Sequence, residues 1–262
     1  MSAIIVNDKI VHYEVLGRGK PIIFLHGWAG SWRYWIPAMQ SISTDYRAYA
    51  LDLWGFGDTA KEPENYSLEK QTALLDYFLN HMGIGKVALV GHGLGAVISF
   101  LYAAKHAQVV DRIMGISMPL GNTDGLKALN GITAPELVNL LVNYSPSTVP
   151  ASSETPKTDQ LAIQTSLNDL KEVSLLEILK KLRTSSLLIN GHNDPLYKPS
   201  LAGKNGELPM TFHQIVFNQS GHFPMLDQPN KFNRLMKDFF ELETGASPKR
   251  LQIKEEWRRR VR

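Results

Sequence analysis

The side chains best suited to chemistry in this 262-residue chain are imidazoles, carboxylates and hydroxyls, because it contains no cysteine. Thiolate nucleophiles and disulfides are excluded on that ground. His26, His92, His192 and His222, with Asp52 and Asp194, are the acid–base candidates. A metal would need ligand spacing such as H-x-x-x-H, which none of them shows, so neither a metal nor another cofactor is expected. The sharpest local pattern runs from Val87 to Ala96: an apolar strand, a turn with Gly91, Gly93 and Gly95 at alternate positions, then a helix. Glycines that bracket a turn let strand and helix approach closely. The residue between them, Gly93, has no side chain to react.

The elements that must position these residues are legible from their punctuation. Ala3–Val6 and Ile10–Leu16 flank Asn7-Asp8 and predict an opening β-hairpin. Continuous apolar runs follow at Pro21–His26, Tyr46–Leu51, Val87–Val90, Arg112–Ser117, Ser185–Asn190 and His213–Phe217, as buried parallel strands require. Between them a helix is predicted from Leu68 to Met82, with Ser67 at its N-cap and Gly83 after its last turn. Such strand–helix alternation implies a doubly wound sheet with its site at the carboxyl ends of the strands. The alternation breaks between Leu120 and Leu182, where helices are predicted near Ala134–Asn143, Thr158–Leu170 and Ser174–Leu182. A polar, turn-rich stretch from Ser145 to Pro156 lies between the first two and suits a mobile lid. The domain plan is therefore a core over 1–119, a helical cap over 120–183, a second core part over 184–243 and a tail over 244–262.

The Val87–Ala96 segment resembles the nucleophile elbow of the α/β-hydrolase family, G-x-S-x-G, with Gly91 and Gly95 bracketing and Gly93 in place of the serine. Further segments strengthen the likeness. His26-Gly27-Trp28 resembles the oxyanion loop, and Asp52 to Thr59 the D-x-x-G-x-G-x-S segment with threonine for serine. Leu188 to Pro195 resembles the acid loop around Asp194, and Ser220 to Pro229 the histidine loop around His222. The order nucleophile, acid, base is that of the family. The resemblance, from about Ile10 to Phe240, implies a mostly parallel eight-stranded sheet with helices on both faces. It also implies a hydrolase acting on an ester or a related acyl or carbon–carbon substrate.

By resemblance the oxyanion donors are the backbone N–H groups of Trp28 and Leu94, which do not depend on the side chain at 93. His222 is then the general base and Asp194 its orienting carboxylate. The elbow residue of the family sits at positive φ, which costs a non-glycine residue about 1–2 kcal/mol, so Gly93 relieves strain while removing the hydroxyl. Three explanations of Gly93 stay open. It is a deliberate replacement of a natural serine, a natural loss that leaves a ligand- or partner-binding protein, or a site where His222 activates water for direct attack or where the chemistry, such as elimination or isomerisation, needs only a base and an anion hole. Ser117 ends the sixth strand and Ser31 follows the oxyanion loop, but neither is expected on a strained bend beside the base. His92 is assigned to packing or support beside the substrate, His26 to bracing the oxyanion loop, His192 to exposed loop and Asp52 to loop anchoring. Of the aromatics Trp28, Trp32, Tyr34, Trp35 and Trp54, the tryptophans Trp28 and Trp54 are the candidates for lining a pocket. Haloalkane dehalogenation is disfavoured, because it needs aspartate at the elbow.

A small-molecule ligand between cap and sheet is the expected partner. The net charge of +3 is concentrated in Lys249–Arg262, where seven basic residues face two acidic ones, leaving residues 1–248 at −2. That body is too neutral for a nucleic-acid face. The tail, with Ile253, Trp257 and Val261 on one stripe, reads as a helix folded against its own domain, or as a frayed end, in preference to a helix docked on a membrane or protein partner. The start lacks a basic, apolar leader pattern, and a cytoplasmic location is the default expectation.

Overall fold

The computed structural model describes residues 2–120, 126, 129–196, 208–243 and 246–251. Strand β1 (Ser2–Val6) turns back into β2 (Lys9–Gly17) through Asn7 and Asp8, both at positive φ, 49° and 63°. This is the type I′ geometry that matches the twist of a hairpin, and small polar residues are the side chains that tolerate it. Next come β3 (Lys20–Leu25), helix α1 (Ile36–Ile42), β4 (Tyr46–Leu51), α2 (Leu68–His81), β5 (Val87–His92), α3 (Leu94–Lys105) and β6 (Val110–Ile116). After β6 the chain forms α4 (Ala134–Leu141), α5 (Val149–Ser152), α6 (Gln160–Glu172) and α7 (Leu175–Lys181). It closes with β7 (Ser185–Gly191), β8 (Phe212–Phe217), α8 (Pro224–Asp227) and α9 (Pro229–Phe240).

The eight strands form one sheet in the order β1-β2-β4-β3-β5-β6-β7-β8. Only the pairs β1–β2 and β2–β4 are antiparallel; the rest are parallel, in register from Ile22↔Ala88 to Gly191↔Phe217. Helices cover the sheet in two groups: α1 packs with α9, and α3 packs with both α2 and α7. Central strands are therefore buried throughout, which is why Ile22 to Leu25 reads as an unbroken apolar run. Ser67 accepts from the Lys70 N–H at the start of α2, the cap its sequence predicts. Among the described residues no helix is long and apolar enough to cross a membrane.

One prediction needs correction here. The stretch from Ser145 to Pro156, expected to be a mobile lid, forms α5 and a 3-10 turn at Thr155–Lys157 instead. It is docked: Ala151 is buried, Glu154 pairs with Arg33 at 3.1 Å, and Lys157 bonds Asp58 at 2.8 Å. Its anchors are one small apolar residue and partly buried charges, which a hydropathy pattern does not reveal. The tail prediction falls on residues 252–262, which lie outside the described residues. The chain just before it, Pro248–Arg250, forms a 3-10 turn against β7 and β8.

Candidate active site

The bend at the end of β5 has the geometry its glycines predict. A methyl on Gly91 or Gly95 would lie under 3.0 Å from backbone atoms of neighbouring segments. Gly93 takes φ +49° and ψ −110°. Its N–H donates to the Ile116 carbonyl at 2.9 Å, and its carbonyl accepts the first helical bond of α3, from Val97. A Cβ built on Gly93 would meet the Trp28 ring at 3.3 Å. The indole thus leans on the bend where a nucleophile side chain would stand. Trp28 is 1% exposed, and its Nε1–H donates to Ser166 Oγ on α6 at 2.9 Å. The helical stretch between β6 and β7 therefore holds the ring in place.

The loop after β3 is braced from both sides. His26 Nδ1–H donates to the Gly27 carbonyl at 2.8 Å, and its Nε2 accepts from the Leu53 N–H at 3.0 Å. These two bonds define a neutral imidazole, and burial holds His26 below its ordinary value of 6.5. Bracing of the loop by His26 is as expected. Gly27 N–H donates to Tyr34 Oη at 2.7 Å, so the Tyr34 O–H is free to donate to His92 Nδ1 at 3.0 Å. His92 Nε2–H then donates to the His222 carbonyl at 2.9 Å. One chain of bonds therefore links the oxyanion loop, the bend and the histidine loop. It requires neutral His92, and burial together with nearby His222 keeps this imidazole well below its ordinary value.

His222 and Asp194 meet as the resemblance implies. His222 Nδ1 lies 2.9 Å from Asp194 Oδ2, while Asp194 Oδ1 accepts from the Leu196 N–H at 2.9 Å. Nδ1 must carry the proton to bond the carboxylate, which leaves Nε2 with a bare lone pair. His222 is 1% exposed, and Nε2 has no hydrogen-bond partner among the described residues. Its loop is tied down by Gly221 N–H donating to Asp227 Oδ2 at 2.8 Å. Burial raises the Asp227 carboxyl above its ordinary range. The backbone N–H groups of Trp28 and Leu94 have no recorded acceptor among the described residues, and Leu94 opens α3, where a helix N-terminus favours negative charge. This set suits proton removal by Nε2 beside two donors for a developing oxyanion.

Other predicted residues fall elsewhere. Trp54 is buried, and Gln71 clamps its backbone N–H and carbonyl, which ties this loop to α2. His192 is exposed. Ser31 is buried and accepts from the Arg33 N–H, a capping role. Asp52 anchors its loop by accepting from Trp32 N–H and Asp58 N–H. His12, Asp52 and Asp58 each bring one ligand atom within 4.8 Å of the others. Those atoms already serve His12, Lys157 and Arg33, so the cluster reads as a loop anchor.

Ser117 is the second correction. It was expected off any strained bend, yet it sits at φ +48°. Sequence reasoning also missed Tyr34 and Ser166, whose partners lie 58 and 138 residues away.

The buried histidines set a pH dependence. His26 and His92 are held below 6.5, so below pH about 6.5 the unfolded chain binds protons that the fold does not. Stability is present above that pH and falls below it, by about 1.4 kcal/mol per pH unit for each proton. His12 is shifted upward by Asp52 against its own burial, so its contribution is full below pH 6.5 and lost as pH rises above it. The histidine contribution to stability is therefore expected to peak near pH 6.5. Urea melts at pH 5.5, 6.5 and 8 check this, and a midpoint that still rises at pH 5.5 contradicts it.

The comparisons with known proteins agree with this fold. The model of the α/β-hydrolase fold family matches residues 20–141. The 2-hydroxy-6-oxo-2,4-heptadienoate hydrolase of Pseudomonas putida is 26% identical over 87% of this chain and 91% of its own length. The soluble epoxide hydrolase of Corynebacterium sp. is 29% identical over 53% of this chain; the chain spans only 47% of that relative. The solved structure of a meta-cleavage product hydrolase from Pseudomonas fluorescens is 25% identical, with a TM-score of 0.77 over 92% of this chain and 97% of the other. The chain has the α/β-hydrolase fold, and the relatives it resembles include hydrolases.

Proposed function

We propose that this chain hydrolyses a small ester or a related acyl or carbon–carbon substrate, with His222 as general base oriented by Asp194. The Trp28 and Leu94 N–H groups hold the oxyanion, and residue 93 contributes backbone alone. The observation that carries this reading is the buried, unpartnered Nε2 of an imidazole whose other nitrogen is bonded to a carboxylate. Leaving a buried acceptor unpaired costs about 1–3 kcal/mol, a cost with a purpose if that atom takes a proton during turnover. The hydrolase relatives support the reaction class, among them the Pseudomonas putida 2-hydroxy-6-oxo-2,4-heptadienoate hydrolase. In this reading the helical stretch over 120–183 is a cap, and the ligand sits between it and the sheet.

A second reading, a binding protein without catalysis, is favoured by one contact: the Trp28 ring packed on the bend where a nucleophile would project. Release of 4-nitrophenol from 4-nitrophenyl acetate separates the two. The native chain is expected to exceed the buffer rate, and folded His222→Ala is not. Equal rates in both would establish the binding reading.

A further inference from the structure

In the sheet β6 lies between β5 and β7. The His222 imidazole touches both outer neighbours of β6. Its ring centroid is 4.6 Å from that of His92, the last residue of β5, and its Nδ1 bonds Asp194, three residues past the end of β7. An imidazole that reaches both places stands at the carboxyl edge of the sheet, in the neighbourhood of the end of β6. The residue there is Ser117. The register pins it, since Gly93 N–H bonds the Ile116 carbonyl and Ser117 N–H bonds the Ile189 carbonyl at 2.8 Å.

Ser117 carries two costs that packing does not explain. Its φ of +48° is in the left-handed region, which costs a side-chain-bearing residue about 1–2 kcal/mol. Its hydroxyl is buried, the residue being 2% exposed, and has no hydrogen-bond partner among the described residues. Strain of this kind collects at functional sites. At the same edge of the sheet, Nε2 of His222 and Oγ of Ser117 both lack a hydrogen-bond partner among the described residues, each other included, so a proton passes between them only once one side chain turns toward the other.

We propose that Ser117 is the nucleophile, supplied one strand over from the usual bend. The proposal rests on the hydrolase reading above. As Ser117 Oγ attacks the substrate carbonyl carbon, its proton passes to His222 Nε2. The tetrahedral oxyanion collapses, the leaving alkoxide takes the proton from Nε2, and an ester bond to Ser117 remains. Water then attacks that ester, giving its proton to Nε2, and Ser117 regains its own when the acid departs. The positive φ serves as the bend at Gly93 serves elsewhere in the family: it projects the side chain off the strand edge.

The test uses the full chain with 4-nitrophenyl acetate and a fluorophosphonate label. Ser117→Gly is the leading variant, because glycine adopts φ +48° more easily than serine and the fold is not put at risk; Ser117→Ala is run beside it. Expected are a burst of 4-nitrophenol in the native chain, an about thousandfold loss of turnover in both variants, and a phosphonate adduct on the Ser117 peptide that His222→Ala abolishes. Turnover that survives in Ser117→Gly but still needs His222 overturns the Ser117 assignment, makes water the nucleophile and leaves the hydrolase reading intact. No turnover and no adduct in the native chain overturns both.

Discussion

Asp194→Asn is expected to lower ester turnover on the order of 10⁴-fold while leaving the fold in place. The amide is isosteric with the carboxylate, so Oδ1 can still accept from the Leu196 N–H. The group that replaces Oδ2, 2.9 Å from His222 Nδ1, becomes an NH2. A donor there forces Nδ1 to accept, which moves the imidazole proton to Nε2. An Nε2 that already carries a proton cannot take one from a nucleophile. The change also discards the charge that stabilises the imidazolium formed in the transition state. Loss of a charge-assisted bond costs about 1.5–3 kcal/mol of stability, so the melt shifts but cooperative unfolding remains. Steady-state kinetics should show the loss in kcat with KM nearly unchanged, since the substrate touches His222 and not Asp194. A loss under tenfold in a folded variant would remove Asp194 from the mechanism, whichever atom is the nucleophile.

Much of this arrangement is legible in the sequence, for reasons that are local. Strand runs such as Pro21–His26 are legible because burial on both faces demands apolar residues without alternation. Ser67 and Asn7-Asp8 are legible because caps and type I′ turns accept few residue types. Asp194 and His222 were found through motif order, as loops following consecutive strands. What stayed hidden depends on distance or conformation. The chain Gly27–Tyr34–His92–His222 crosses 130 residues in its last bond alone, and nothing near Tyr34 marks it. A serine at positive φ has no sequence signature, so Ser117 looked like an ordinary strand end. The 145–156 stretch looked mobile because its anchors are charge pairs to Arg33 and Asp58, formed only once the loop after β4 and the turn after β3 are in place. Local rules thus picked out a carboxylate and an imidazole that the fold brings to 2.9 Å of each other. Their surroundings are set by tertiary contacts.

Gly191→Ala is expected to destabilise the chain by about 3 kcal/mol or more and to separate the acid from the base. Gly191 ends β7, paired with Phe217 at the end of β8. From there the two outgoing loops are stitched by backbone bonds: His192 N–H to the Phe217 carbonyl and Asn193 N–H to the Ser220 carbonyl, each at 3.0 Å. A methyl on Gly191 would fall under 3.0 Å from the Gly221 carbonyl oxygen and from the carbonyl of Ser220. These are backbone atoms, which cannot rotate aside as a side-chain end can. The loop carrying His222 must then retreat from the loop carrying Asp194, against the Gly221–Asp227 bond that holds it. Urea unfolding reads the stability, and 4-nitrophenyl acetate turnover below the melt reads the lost pair. Gly85→Ala is the control: nothing lies within 4 Å of its added methyl, so its midpoint should stay within about 0.5 kcal/mol of native. If the two variants melt alike, the close approach at Gly191 does not constrain the site. If Gly191→Ala melts early yet keeps full turnover, the histidine does not need the carboxylate at 2.9 Å.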